Sequence, residues 1–564
     1  MAYRNLQHFL KRLEEEGELR RISIPVSPVL EMTEIADRVS KAHGPALLFT
    51  RPEGSAYPVV MNAFGSERRM CLALGVDSLE EIAADLGAYL DLGQYLSPGR
   101  LLRGIPRYAR LLYALSWHSR LPAPCQQVVE REPDLSALPV LHCWPQDAGR
   151  FLTLPLVFTR DPHSHRQNVG MYRMQVLDKT TTAMHWHKHK DGSAFYQEYA
   201  RQGTRMPVSV ALGCDPALTY AATAPLPPEI DEMMLAGWLR RANVRMTRCK
   251  TNDIYVPTEA EFVLEGYVDP AEDPVLEGPF GDHTGYYSLA DFYPRFHVTC
   301  LTRRRRPVYP ATVVGKPPME DCYLAKATER IFLPFLKLQV PELLDLELPL
   351  EGVFHNCAIV SVKNRYPGSA RKVMSALWGM GQMMYTKLIV AVGETVDIHS
   401  PAAVWREISR RLGREDLVLS PGPLDALDHS SSRALYGCRL GVDATGTVRA
   451  PSPDSEDGYR ILTIRKARPF DGRRALEAFL PAHRERFVLC VDDSVDPSDL
   501  PTVLWKLFNN IDAGRDLVYH GEKIGVDATR KLREEGLGRD WPDDIVMTEE
   551  IKARVDGRWD SYGL

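Results

Sequence analysis

The chain has 564 residues, of which 44% are hydrophobic and 25% charged, with a formal net charge of −5. That length exceeds a single core and predicts three or four folding units; the charge supplies no field for nucleic acid, and no run of about 18 apolar residues exists that could span a membrane. Ten cysteines, scattered singly without a CxxC pair, and a start (Met1-Ala2-Tyr3-Arg4-Asn5) lacking a signal-peptide apolar core predict a reduced, cytoplasmic, multidomain enzyme.

Leu6, Phe9, Leu10 and Leu13 recur at helical spacing up to Glu16, where Gly17 can cap the end. A second helix is predicted over Val29–Ala42, stopping at Gly44. Ala46–Phe49 and Tyr57–Met61 read as strands and Ser78–Leu90 as a helix, so residues 1–121 are expected to form an α/β domain. Over 122–317 short β-rich runs dominate: Thr153–Thr159, Gln167–Leu177, Thr181–His189, Val208–Leu212 and Phe296–Thr302. Turn signals such as Asp161-Pro162 and Asp191-Gly192 separate them. One helix, Pro228–Ala242, interrupts them with Glu229, Asp231 and Glu232 near its N-terminus, where the helix dipole favours acids. A β-barrel-like domain is expected, with Arg303–Arg306 as a solvated hairpin tip.

Over 318–564 helices and strands alternate again, predicting a second α/β domain. Ala325–Leu333 reads as a helix ended by Pro334, Ala370–Met380 and Leu500–Asn509 as further helices, and Ala358–Val362, Lys387–Val392 and Arg486–Val491 as strands. Thr445–Gly458 reads as a surface loop. The pentapeptide Gly441-Val442-Asp443-Ala444-Thr445 recurs as Gly525–Thr529 and reads as a repeated turn.

Two regions carry chemistry. In Val275–Tyr287, Glu277 and Asp282 lie five residues apart with Gly278, Pro279 and Gly281 between them. Proline is excluded from a helix interior and glycine widens backbone choice, so this is a kinked loop able to aim both acids into one space. Paired carboxylates in one site tend to separate in pKa, which suits acid–base work; an acidic surface turn is the plainer alternative. Upstream, Arg166–Val176 adjoins Met184–Gly192. Strand alternation puts His185, His187 and His189 on one face. Such imidazoles could bind a divalent metal, with Glu232 or Asp231 adding a carboxylate, or form an ordinary polar barrel face. Arg173 suits either a structural ion pair or two-point capture of a carboxylate.

These blocks, with Leu138–Ala148, Met384–Lys387 and Gly525–Thr529, resemble the UbiD family of decarboxylases, which use prenylated FMN, over most of the chain. The resemblance implies an α/β N-terminal domain, a central split β-barrel that binds flavin, and an α/β C-terminal domain for assembly into at least a dimer. It implies that Asn168, His189 and Glu232 ligate a divalent cation, usually manganese, beneath the cofactor phosphate, and that backbone at Ala222 and Thr223 holds potassium. It implies that Met171, Tyr172, Arg173, His185, Trp186, His187 and Lys190 line the flavin and that Lys387 reaches the phosphate. Arg173, Glu277 and Asp282 match the family's catalytic set, with Asp282 kept protonated to deliver a proton where CO₂ left. A flavin prenyltransferase is the implied cofactor supplier. The stretch Val503–Asp512 resembles longer bacterial members assigned to menaquinone synthesis, which favours a hydroxybenzoate- or naphthoate-type acid. A carboxylase running in reverse, a non-catalytic flavin- and metal-binding assembly protein and a metallohydrolase are the competing readings. No HExxH motif supports the last.

Overall fold

The computed structural model describes residues 3–91, 98–186, 191–227, 230–449 and 458–564. Its chain divides into two compact units: Met1–Ile82, Asp91–Thr328 and Asp544–Leu564 form the first, and Ala83–Leu90 with Glu329–Asp543 form the second. Contacts therefore join the expected N-terminal and barrel segments and return the last 21 residues to them.

The first unit opens with helix Leu6–Glu15, which buries Leu6, Phe9, Leu10 and Leu13 on one face. Asn5 caps it by accepting the His8 N–H at 2.9 Å, and Gly17 adopts φ 75° just past its end. A four-stranded sheet follows, ordered Leu19–Ile22, Ala46–Phe49, Val59–Met61 and Tyr309–Pro310. Its last strand arrives from beyond the barrel, which explains why the two segments make one unit.

The central element is a nine-stranded sheet among the described residues. Its path runs Phe151–Leu152, Met174–Val176, Thr181–Met184, Arg295–Arg303, Phe262–Val268, Met206–Leu212, Leu156–Arg160 and Gln167–Met171, with Val128–Glu130 pairing the long Arg295–Arg303 strand. Strands Gln167–Met171 and Met174–Val176 lie near opposite ends of that path, yet only Tyr172 and Arg173 separate them in sequence. Six strand spacings in a flat sheet would cover roughly 29 Å, whereas three extended residues reach about 10 Å. The sheet therefore curls into a half-barrel, and Tyr172-Arg173 lies across its seam.

The second unit holds two smaller sheets of one design. In the first, Cys357–Val362, Leu388–Gly393 and Tyr436–Ala444 run parallel in that order, and Leu417–Pro423 closes the edge antiparallel. In the second, Tyr459–Ile464, Phe487–Asp492 and Lys523–Asp527 are parallel, with Leu517–His520 as the antiparallel edge. The recurring pentapeptide sits at the end of the equivalent strand in each. Val442 pairs Leu417 and Val390, and Val526 pairs Leu517 and Leu489. Asp443 and Asp527 each accept hydrogen bonds from the amide and hydroxyl of the threonine two residues on. What reads as a repeated turn is a repeated βαβαββ framework.

Three further expectations are corrected. Helix Glu320–Gln339 continues through Pro334; packing of Leu333 and Leu336 against the second unit's core outweighs the roughly 3 kcal/mol that an interior proline costs. Arg303 and Arg304 are not solvated: Arg303 pairs with Glu130 at 2.8 Å and Arg304 with Glu259 and Glu261. Strand Thr181–Met184 ends before His185, so His185 is not on the expected strand, and His187 and His189 lie outside the described residues. Most of the expected loop Thr445–Gly458 lies outside the described residues.

Candidate active site

Arg173 leaves the half-barrel seam and enters a buried cluster of acids from the Val275–Tyr287 segment. Its Nε donates to Glu277 Oε1 at 2.8 Å, and Nη2 donates to Glu277 Oε2 and Ser288 Oγ, each at 3.1 Å. Nη1 donates to Asp282 Oδ2. The guanidinium carbon lies 4.7 Å from the Phe280 ring centre. His185 Nδ1 sits 3.1 Å from Glu277 Oε2, and its ring packs on Tyr293 at 4.3 Å. Glu277 is fully buried, and Asp282 and His185 nearly so.

The loop that carries both acids is held by polar contacts at every bend. Gly278 takes φ 85°, a left-handed angle that favours glycine, and its N–H donates to Gln175 Oε1 at 2.8 Å. Phe280 N–H donates to Ser288 Oγ at 3.2 Å. Gly281 N–H donates to Asp147 Oδ1 at 2.7 Å while Trp144 N–H donates to Oδ2 at 2.9 Å. A Cβ at Gly281 would stand 2.3 Å from the Trp144 ring. Asp282 N–H donates to Tyr286 O at 3.1 Å, and Ile545 N–H donates to Gly285 O at 2.9 Å. The loop is a rigid arm.

The charges set the protonation. Burial raises Glu277, but His185 and Arg173 outweigh it and bring the carboxyl down to about 2. Burial likewise raises Asp282, yet the Arg173 guanidinium and His283 hold it well below the ordinary carboxylate range. His283 gives Asp282 Oδ1 its backbone N–H at 2.8 Å and sets Nδ1 at 3.1 Å. These contacts favour the carboxylate form of Asp282. Two neighbours differ. Burial pushes Asp147 up to about 7 against the Gly281 and Trp144 amides. It also pushes Asp321 to about 7, with His283 opposing and Asp282 adding to the rise.

The other expected residues divide in three. On strand Gln167–Met171, buried Asn168 precedes Val169, whose N–H donates to Glu232 Oε2 at 3.2 Å, so Glu232 reaches the backbone next to Asn168. Met171 N–H donates to Ala222 O at 3.2 Å, and Thr223 Oγ1 donates to Tyr220 O at 2.7 Å, placing that backbone turn beside the same strand. Asp231 is the N-cap of helix Glu232–Arg240, its Oδ1 accepting the Met233 N–H at 2.8 Å. Tyr172 and Trp186 are buried, with Trp186 Nε1 lacking a hydrogen-bond partner among the described residues. His187, His189 and Lys190 lie outside the described residues. Lys387 sits in the second unit with its ammonium bound to Asp428 at 2.6 Å, Ser430 at 2.7 Å and Asn509 O at 2.8 Å.

Sequence reasoning assigned no role to Asp147, Gln175, His283, Ser288, Tyr293 or Asp321. Asp147 and His283 lie inside the two motifs singled out for the resemblance, so position in those motifs was an available signal. Gln175 lies in the singled-out Arg166–Val176 block as well, whereas Ser288 meets Arg173 from 115 residues away and nothing local marks it.

Comparison with known proteins follows the same outline. Models of the 3-octaprenyl-4-hydroxybenzoate carboxy-lyase N-terminal, Rift-related and C-terminal domains match residues 10–86, 118–317, and 322–444 with 448–529. An uncharacterized protein of Archaeoglobus fulgidus is 50% identical over 464 residues, 81% of this chain and 94% of its own length. An evolved dimeric form of the UbiD-class enzyme HmfF from Pelotomaculum thermopropionicum, in complex with prFMN, aligns with TM-score 0.67 and 25% identity over 80% of this chain and 98% of that one. The vanillic acid decarboxylase of Sedimentibacter hydroxybenzoicus in closed form aligns with TM-score 0.69 and 25% identity over 86% and 99%. Matched by all three domain models in order along its length, the chain belongs to the UbiD family and is a carboxy-lyase of that class.

Proposed function

We propose that this chain catalyses the reversible, non-oxidative decarboxylation of an aromatic or α,β-unsaturated acid with prenylated FMN, and that its substrate is a hydroxybenzoate- or naphthoate-type acid. The observation that supports the reading is the buried Arg173 cation shared between Glu277 and Asp282. The substrate class is supported by the likeness to a vanillic acid decarboxylase.

Prenylated FMN, when bound, supplies the electron sink that loss of CO₂ requires. The residues fit such a group: Trp186 Nε1 is a buried donor without an acceptor among the described residues, and Asn168 and Glu232 offer hard oxygen ligands for a manganese ion at its phosphate. His189 would complete that ligand set, and Ala222 and Thr223 carbonyls would serve potassium.

Glu277 grips Arg173 through two parallel hydrogen bonds, so the guanidinium cannot follow the substrate; it orients the substrate carboxylate instead. That carboxylate competes with Asp282 for Nη1. Once its cation is shared, Asp282 is a buried anion beside a second anion, and both conditions raise its proton affinity. Asp282 then takes a proton through His283 and gives it to the carbon that CO₂ has left. The acid is armed by substrate binding, not before it.

The test is to produce the chain with and without a flavin prenyltransferase, record the absorbance and mass of the bound cofactor, and screen aryl acids for CO₂ release. Protein that carries no flavin in either case, and releases no CO₂ from hydroxylated benzoates or naphthoates, would overturn the proposal. We expect at least a homodimer in the active preparation.

A further inference from the structure

A second surface of the first unit lies on residues 105–121, where Ile105, Leu111, Leu112, Leu115, Trp117 and Leu121 are half to three-quarters exposed. Scattered exposed leucines are ordinary, but six large exposed apolar side chains within 17 residues exceed scatter and point to an interaction site. The backbone beneath them is fixed. Asn243 Nδ2 donates to Leu112 O at 2.7 Å and to Leu115 O at 2.8 Å. Tyr113 O approaches helix Glu232–Arg240 so closely that a Cβ on Gly237 would stand 2.0 Å from it. The apolar side chains are therefore presented by a rigid platform.

The charge carried by the segment itself has one sign. Between Asp91 and Glu130 the sequence holds five arginines and no Asp or Glu. Strand Trp117–His118 pairs in parallel with Arg245–Arg248, setting exposed Arg245 beside Trp117, and Arg120 is exposed in the following residues. Leucines to insert, a tryptophan for the polar boundary and arginines for phosphate are the components of a surface that lies on an anionic bilayer. A second copy of this chain fits less well, because the segment brings no carboxylate to meet its partner's arginines. No helix among the described residues is long and apolar enough to cross a membrane, so the contact is peripheral.

We propose that the 105–121 platform docks the enzyme onto the surface of anionic lipid bilayers. The full chain, as purified, should sediment with vesicles of phosphatidylcholine and phosphatidylglycerol and stay in solution with phosphatidylcholine alone. Raised salt should release it. The double variant Leu112→Glu/Leu115→Glu should lose at least tenfold in vesicle partitioning while keeping the wild-type melting temperature, since both side chains are exposed. Arg120→Gln/Arg245→Gln should lose the preference for anionic lipid. Wild-type protein that stays in solution with anionic vesicles overturns the proposal. So does a leucine variant that binds vesicles normally. If vesicles are ignored and light scattering shows the leucine variant dissociating a wild-type oligomer, the patch belongs to a second copy.

Discussion

Arg173 and Asp282 make the resting site an ion pair, and that arrangement fixes what single substitutions should do. Asp282→Asn keeps shape but removes the transferable proton, so turnover should fall about 10²–10⁴-fold, with flavin content unchanged. Incubation of product in deuterated buffer checks this: wild type should exchange hydrogen at the former carboxyl carbon and the variant should not. Glu277 supplies the pH test of stability. Its folded carboxyl titrates at about 2 and its unfolded one near 4.3, so its stabilisation is present above pH ~4.3 and is lost as pH falls toward 2. Thermal melts across that window should show wild type losing on the order of 3 kcal/mol that Glu277→Gln never had. Asp321 makes the opposite kind of prediction. Burial holds its proton up to about 7, so if it feeds His283, activity should decline as pH rises through that value. Asp321→Asn should lower the plateau and remove that decline.

Along the elements, the legible parts were those with local periodicity. Helix Leu6–Glu15 was readable because four apolar residues repeat on one face and Gly17 punctuates its end. Strand alternation likewise exposed most of the barrel. It could not show that Gln167–Met171 and Met174–Val176 are separate strands near opposite ends of one curled sheet, because closure depends on distant pairings such as that of Thr181 with His297. Pro334 misled for the reverse reason, since a local penalty was overridden by packing. The loop carrying Glu277 and Asp282 was identified from its glycines and proline, but its rigidity comes from Asp147, over 130 residues earlier. Asp147→Ala would leave the Gly281 and Trp144 amides buried without acceptors, at about 1–3 kcal/mol for each. The variant should melt earlier and lose activity beyond what its stability loss explains, measured by turnover well below the new melting temperature. Asp147→Asn, which retains one acceptor, should fall between.

At the scale of the molecule, the carboxyl end of the chain belongs with the amino end. Ile545, Met547, Ile551, Val555 and Tyr562 join the first unit's core, and Tyr562 donates to the buried Glu31 at 2.9 Å. Ile545 also holds Gly285, three residues past Asp282. A chain ended after Asp543 should therefore show a weaker first unit, seen as faster proteolysis of the Val275–Tyr287 loop and lost activity, while the second unit's two sheets remain protected. The repeated framework of that unit needs nothing from the tail. This arrangement has a consequence for time as well as for space. A ribosome finishes Arg173, Glu277 and Asp282 before it makes Glu329–Asp543, yet the strap across their loop emerges only after that stretch. The nascent chain spends the synthesis of Glu329–Asp543 with the arm carrying Glu277 and Asp282 unlatched, so a chain terminated before the strap carries Arg173 and both acids and should still be inert.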